Sequence, residues 1–236
     1  MFAKFLKGMK DGIPIALGYL SVSFTFGIKA VSDGLLWWQA LLISMTNLTS
    51  AGQFAGLSVM AGAGSLVEIA CTQLVINMRY ALMSLSLTQK VDKSFTRLKR
   101  WLCGFGMTDE IFAVASGKLH SVTAGYMAGL IATPFVGWSL GTLLGAVAGN
   151  ILPAAVQSAL SVAIYGMFIA IFVPPMKKAK PVAIVVAIGA LLSCAFRFVP
   201  LIKEISSGFA IIICAVAAAG LGAFLFPISD EEEAHA

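Results

Sequence analysis

Five ionisable side chains lie within apolar stretches of this sequence, where a charge is costly. They are Glu68, Arg79, Asp109, Glu110 and Arg197. Glu68 lies at the start of its apolar stretch, where a helix N-terminus stabilises a carboxylate. Arg197 lies close to the end of another stretch, from which its side chain can extend to the membrane surface. Arg79 and the Asp109-Glu110 pair are therefore the leading candidates for chemistry.

Arg79 has two interpretations that do not exclude each other. Its guanidinium, with Asn77 nearby, is suited to holding a carboxylate through two parallel hydrogen bonds. Alternatively, Arg79 neutralises Asp109 or Glu110 in an internal ion pair. In both interpretations Arg79 belongs to a polar site inside an apolar segment.

Asp109 and Glu110 follow Thr108 directly. Neighbouring helix positions point about 100° apart, so the two carboxylates face different partners. One is expected to pair with Arg79, while the other meets water or a coupling proton. The alternative is that the Thr-Asp-Glu run only caps a helix.

A third concentration of polar residues interrupts the apolar segment 35–60. Its members are Ser44, Thr46, Asn47, Thr49, Ser50, Gly52 and Gln53. A polar centre that contains glycine predicts a broken helix or a re-entrant hairpin, which is tolerated at membrane depth where it lines a cavity. The break is expected near residues 50–52.

The composition shows which elements must position these residues. Hydrophobic residues make up 59% of the 236 positions and charged residues only 11%, against about a quarter charged in soluble domains. Mean hydropathy is +0.92. The apolar stretches approach or exceed the roughly 20 residues that span a bilayer, and they lack the alternation of barrel strands. The sequence therefore predicts an all-α, polytopic transmembrane helical bundle in a lipid bilayer.

The predicted apolar segments are 13–31, 35–60, 66–87, 101–119, 122–152, 155–173, 181–199 and 209–226. Segment 122–152 has the length for two short spans. We predict about seven crossings, within a range of six to eight, and a broken or re-entrant helix near residues 35–60. All belong to one transporter domain, 1–236, with a short acidic tail at 229–236.

Basic residues indicate the topology. They gather near the N-terminus (Lys4, Lys7, Lys10), at 90–100 and at 177–180, as expected of cytoplasmic segments. Three full crossings before residue 90 would place the basic loop 90–100 outside, so segment 35–60 is predicted not to cross. The net charge of +5 thus reflects topology, and no soluble segment offers a nucleic-acid surface.

Glycines recur at every fourth position at Gly141, Gly145 and Gly149. Small residues at this spacing let membrane helices approach closely. The run packs either against a helix of the same chain or against another membrane subunit.

Recognisable catalytic patterns are missing from the sequence. There is no phosphate-binding loop, nucleophile elbow or zinc motif, and the four cysteines lack paired spacing. We therefore expect no enzyme activity, cofactor or metal.

Five short motifs carry a family resemblance. They are residues 12–18 (GIPIALG), 51–54 (AGQF), 77–80 (NMRY), 108–113 (TDEIFA), and Trp138 followed by Gly141, Thr142 and Gly145. In this order they resemble the AzlC-type branched-chain amino acid permeases, large subunits of bacterial two-component amino acid exporters. Tyr80 stands where we would expect histidine in many relatives.

The resemblance implies a multi-pass transporter subunit of the bacterial cytoplasmic (inner) membrane. It would export branched-chain or similar apolar amino acids with a small hydrophobic AzlD-like partner of about four spans. The substrate-binding candidates are Arg79, Asn77, Gln53, Gly52 and Asn47, where the helix break receives the carboxylate. Asp109 and Glu110 are the proton-coupling or ion-pair candidates. The alternatives are a non-selective channel or ion pathway, and a membrane-embedded enzyme.

Overall fold

The computed structural model describes residues 2–148, 153, 155, 169, 173–177, 179–200, 202 and 204–227. Within these residues the α-helices are α1 (Phe2–Ser32), α2 (Trp37–Thr46), α3 (Ser50–Ala61), α4 (Leu66–Leu87), α5 (Arg97–Phe105), α6 (Asp109–Ser116), α7 (Ala124–Ala148), α8 (Lys180–Phe198) and α9 (Ser207–Leu225). Five segments are long and apolar enough to cross a membrane: Phe2–Ser32, Leu66–Lys90, Ala124–Ala148, Lys180–Phe198 and Ser207–Leu225. The polytopic helical bundle is therefore confirmed.

The chain forms two compact units. Unit 1 comprises Met1–Phe54 and Asn77–Ile164, and unit 2 comprises Ala55–Ile76 and Tyr165–Ala236. The single transporter domain stays a prediction. Its acidic tail 229–236 and most of predicted segment 155–173 lie outside the described residues.

Helices α1 and α7 pack along each other in unit 1 through glycines. A Cβ added at Gly8 would come 2.9 Å from the backbone nitrogen of Leu130, and one added at Gly145 would come 2.7 Å from the carbonyl carbon of Phe24. Residue numbers rise together along the contact, so the two helices run parallel. Gly141 and Gly145 therefore pack internally, while Gly149 lies outside the described residues.

Segment 35–60 is broken, as predicted. Helix α2 ends at Thr46, residues 47–49 form a turn, and α3 begins at Ser50. Side-chain hydrogen bonds from Gln53 back to the carbonyl of Ile43 and the hydroxyl of Ser44 bring the first turn of α3 beside the end of α2. The break lies three residues earlier than expected, because the Thr49 hydroxyl accepts the backbone N–H of Gly52 and so begins the helix there. We call residues 37–54 the first hairpin.

The apolar segment 101–119 does not form one continuous helix. It holds two short helices, α5 and α6, separated by residues 106–108. Thr108 caps α6 by accepting the backbone N–H of Ile111, so the chain turns within the segment. We call residues 97–116 the second hairpin.

Segment 122–152 was expected to be long enough for two short spans, and the structure corrects this expectation. Its described part is mostly one 25-residue helix, α7, with Pro134 inside it. Glycines along this helix allow α1 to approach closely.

The predicted basic segments of unit 1 lie together at one end, which we call the basic end. The backbone N–H of Asp92 donates to Val122, and the Ser94 hydroxyl accepts the N–H of Ala124 at the start of α7. Lys4 and Lys7 line a cavity with the loop 117–123. Lys90 Nζ donates to the carbonyl of Ser116, where α6 ends. The second hairpin therefore enters and leaves by the basic end.

In unit 2, α8 and α9 pack antiparallel. A Cβ on Gly222 would meet Val185, and a Cβ on Gly189 would lie 3.8 Å from that of Ala218. Glu68, only 4% exposed, accepts hydrogen bonds from the Ser206 hydroxyl (2.6 Å) and the Gly208 N–H (2.9 Å) at the start of α9. Its carboxylate therefore caps a helix N-terminus.

Candidate functional site

The turns of the two hairpins lie close together in unit 1. The first hairpin packs near the end of α7 that is far from the basic end, because Ser44 contacts Thr142 at 2.6 Å. The second hairpin enters from the basic end. Two bridges of polar side chains connect the turns, and we call this region the hairpin junction. Its residues are Tyr19, Thr49, Gln53, Arg79, Tyr80, Thr108, Asp109, Glu110 and Trp138.

The first bridge comes from α4. Arg79 Nη1 lies 2.8 Å from Asp109 Oδ2 in the second hairpin. Arg79 Nη2 donates to the Tyr80 hydroxyl at 3.0 Å, and its guanidinium lies 4.8 Å from the Tyr80 ring centre. The Tyr80 hydroxyl lies 3.4 Å from Thr49 Oγ1 in the first turn. One arginine thus connects both hairpins through charge and hydrogen bonds.

The second bridge comes from α7 and α1. Trp138 Nε1 donates to Gln53 Oε1 at 3.2 Å. Its ring meets that of Tyr19 edge to face, with centroids 5.2 Å apart. The Tyr19 hydroxyl donates to Glu110 Oε2 at 2.5 Å and lies 2.7 Å from Thr108 Oγ1. The cap of α6 and the turn before α3 are therefore both held against the α1–α7 pair.

Gln53 holds the first turn closed. Its Nε2 donates to the carbonyl of Asn47 at 2.7 Å, and its Oε1 accepts from Trp138. The side chain is 1% exposed. A buried amide whose nitrogen and oxygen both form hydrogen bonds holds the backbone around it in one conformation. The position of the α3 N-terminus therefore depends on Gln53.

Two helix N-termini, those of α3 and α6, lie at the junction, and both favour negative charge. Helix α6 already carries Asp109 and Glu110 in its first turn, whereas α3 has no acidic residue there. The N-terminus of α3 is therefore the one suited to an anion from outside the chain.

The Arg79–Asp109 pair is only partly enclosed. The side chains are 43% and 35% exposed by area. Asp109 Oδ1 is nevertheless buried and has no hydrogen-bond partner within the described part of the chain. A buried carboxylate oxygen without a partner is costly, and it can accept a proton or an ammonium group.

The predicted site residues fall into two groups. The first group, Gly52, Gln53 and Asn47, lies in or next to the first turn. In the second group, Arg79 forms an ion pair with Asp109, which agrees with one of the two interpretations of Arg79. Asn77 is half-buried on α4, in the same helix as Arg79.

Of the two expectations for Asp109 and Glu110, the pairing of one carboxylate with Arg79 is found, whereas Glu110 bonds to a tyrosine that was not expected. Asp109 faces Arg79 and Glu110 faces Tyr19. Thr108 caps α6 as the alternative interpretation held, so the cap and the ion pair coexist. The substrate and proton roles of these residues stay predictions.

Tyr19, Tyr80 and Thr49 were not among the predicted site residues, and Trp138 entered only through the resemblance. A tyrosine or tryptophan in the middle of an apolar helix needs a partner for its polar atom. That rule singles out Tyr19 and Trp138 but cannot name partners about ninety positions away.

The family model described as "AzlC protein" matches residues 14–152. The chain is 28% identical to "Inner membrane protein YgaZ" of Escherichia coli strain K12, over 97% of this chain and 95% of that protein. It is 32% identical to an uncharacterized membrane protein of Archaeoglobus fulgidus, over 74% of this chain and 77% of the relative. An uncharacterized membrane protein of Helicobacter pylori strain 26695 is 28% identical, over 62% and 67%. No solved structure matches.

Proposed function

Because the chain belongs to the AzlC family, we propose that it exports branched-chain or similar apolar amino acids across the bacterial cytoplasmic membrane, with a small AzlD-like hydrophobic subunit as its partner. The family and the membrane-protein relatives support a subunit of a membrane transporter. The amino acid substrate, the outward direction and the partner are our proposal, and so is the absence of catalysis.

The hairpin junction is the observation that supports an amino acid substrate. A free amino acid carries a carboxylate and an ammonium group, so its site needs both a cationic and an anionic partner. Arg79 and the N-terminus of α3, which has no acidic residue in its first turn, suit the carboxylate. The unpartnered Oδ1 of Asp109 suits the ammonium group. Discontinuous helices that meet within a membrane protein commonly form such sites.

Apolar side chains lie next to these polar groups. Phe54 follows Gln53 on α3, and its ring meets that of the fully buried Phe26 edge to face at 5.3 Å. An aliphatic substrate side chain would pack against Phe54, whose ring is half-buried. This surface supports an apolar amino acid over a polar one.

The ion pair also suggests how export is coupled to protons. When Asp109 is ionised, Arg79 is held against it at 2.8 Å. Protonation of Asp109 would remove the negative charge that holds both Arg79 and the ammonium group of a bound substrate, so it would favour release of the substrate. Glu110 would remain held by Tyr19 and keep the second hairpin in place.

The test is transport in proteoliposomes that contain the chain together with the small hydrophobic subunit. Radiolabelled valine is followed with and without an imposed proton gradient. We expect saturable valine transport that leucine and isoleucine inhibit and that the gradient changes. Non-saturable passage of unrelated solutes would instead indicate a channel, and chemically altered valine would indicate an enzyme. Either result contradicts the proposal.

A further inference from the structure

A cavity of about 580 Å³ lies at the basic end of unit 1, apart from the hairpin junction. It is formed by the first turns of α1 and the loop 117–123. Four of its lining side chains can carry positive charge, namely Lys4, Lys7, Lys118 and His120. The proposed transport site makes no use of these residues.

Part of this positive charge is already balanced. Lys118 Nζ lies 2.7 Å from Asp11 Oδ2 and 5.1 Å from the centre of the Tyr126 ring. The Tyr126 hydroxyl donates to the same carboxylate oxygen at 2.7 Å. Asp11 is therefore occupied, and Lys118 is fixed in the cavity wall.

Lys4 and Lys7 are not balanced in this way. They lie one turn apart on α1, both exposed, and neither forms an ion pair within the described residues. Asp92 lies near enough for Lys4 to act on it electrostatically, but its carboxylate is hydrogen-bonded to Ser94. Two cations at the mouth of a cavity attract an anion.

Leu119 lines the same cavity, and its side chain is 96% exposed. An exposed leucine beside lysines at the end of a transmembrane helix is suited to the boundary between headgroups and acyl chains. A free inorganic anion would gain nothing from this leucine, whereas a phospholipid would cover it. The lining thus matches a molecule that is both anionic and apolar.

The position of the cavity agrees with this chemistry. The basic end is the one that charge bias assigns to the cytoplasm. The cytoplasmic leaflet carries anionic lipids, which basic pockets between transmembrane helices bind through their headgroups.

We propose that this cavity binds an anionic phospholipid of the cytoplasmic leaflet. The headgroup phosphate contacts Lys4 and Lys7, and the beginning of an acyl chain covers Leu119. Such a lipid ties the start of α1 to the loop that follows the second hairpin. It would therefore stabilise that hairpin from the cytoplasmic side.

The first test measures binding of phosphatidylglycerol to the full chain in neutral detergent by native mass spectrometry. The double variant Lys4→Gln/Lys7→Gln is compared with Lys93→Gln/Arg97→Gln, which removes two cations from the same end but not from the cavity. Each lysine near the headgroup is expected to contribute about fivefold to the lipid affinity. We therefore expect the first variant to bind the lipid about 25-fold more weakly and the second to bind it like the wild type. Equal losses in both variants would show general surface attraction and overturn the proposal.

The second test uses the wild type, so it does not depend on any variant folding. We expect phosphatidylglycerol to bind more tightly than both phosphatidylcholine and inorganic phosphate. Leu119→Ser should weaken binding of the lipid and leave phosphate binding unchanged. If phosphate binds as tightly as phosphatidylglycerol, or if phosphatidylcholine does, the occupant is not an anionic lipid.

Discussion

Replacing Gly27 by alanine tests the packing of α1 against α7. A Cβ at Gly27 would come 2.6 Å from the backbone nitrogen of Ala146, and closer still to the carbonyl oxygen of Thr142, whereas ordinary contact begins at 3.4 Å. The obstructing atoms belong to the backbone of a helix, so no side-chain rotation relieves the clash. The helices must separate by roughly 0.8 Å or more. Gly18, on the same helix, has nothing within 4 Å of its added Cβ and provides the matched control.

The expected cost follows from these distances. Overpacking costs about 1–3 kcal/mol, and alanine regains about 1 kcal/mol of helix propensity over glycine. Gly18→Ala has the same propensity gain without the clash. The two variants should therefore differ by about 1–3 kcal/mol, with Gly27→Ala the less stable. At about 2–4 °C per kcal/mol for a chain of this size, its Tm should be several degrees lower.

The measurement is thermal unfolding of both purified variants in the same detergent, followed by tryptophan fluorescence. Gly18→Ala should melt at or slightly above the wild-type Tm. Equal Tm values for the two variants would mean that α1 and α7 do not approach at Gly27, and the packing described above would be refuted.

Two further predictions concern the hairpin junction. Trp138→Phe removes the N–H that bonds to Gln53 and should lower the free energy of unfolding by about 1–2 kcal/mol. The control Trp101→Phe, at an 82% exposed position, should not change the free energy of unfolding measurably. Equal stabilities of the two variants would contradict the second bridge. A double-mutant cycle of Arg79→Ala and Asp109→Ala should give a coupling free energy of about 1 kcal/mol in unfolding experiments, because both side chains are more than a third exposed. A coupling of zero would contradict the expectation that the ion pair stabilises the fold.

The first hairpin could be predicted from the sequence for two physical reasons. Its polar centre around Asn47 and Gln53 is incompatible with a lipid-facing helix, and the positive-inside rule requires one segment before the basic loop not to cross. The pairing of Arg79 with Asp109 was also predictable, because a charge in an apolar segment needs a partner of opposite sign.

The second hairpin could not be predicted in this way. Residues 101–119 have the length and apolar content of a span, and only Gly106 and Thr108 indicate a turn. The bridges were also hidden, because Tyr19 and Trp138 contact residues 85–91 positions away. A single sequence shows that such side chains need partners but does not identify them.

The central claim, that Arg79 binds the substrate carboxylate at the hairpin junction, is tested most directly by comparing two ligands. Valine and valinol differ only in that the carboxylate of valine is replaced by a hydroxymethyl group. Arg79→Lys keeps the positive charge but loses the planar pair of donors, so the apparent KM for valine should rise about tenfold, equivalent to roughly one charged hydrogen bond. Inhibition by valinol should not change, and the control Arg97→Lys should leave both ligands unaffected. An unchanged KM for valine, or an equal loss for valine and valinol, would contradict the claim.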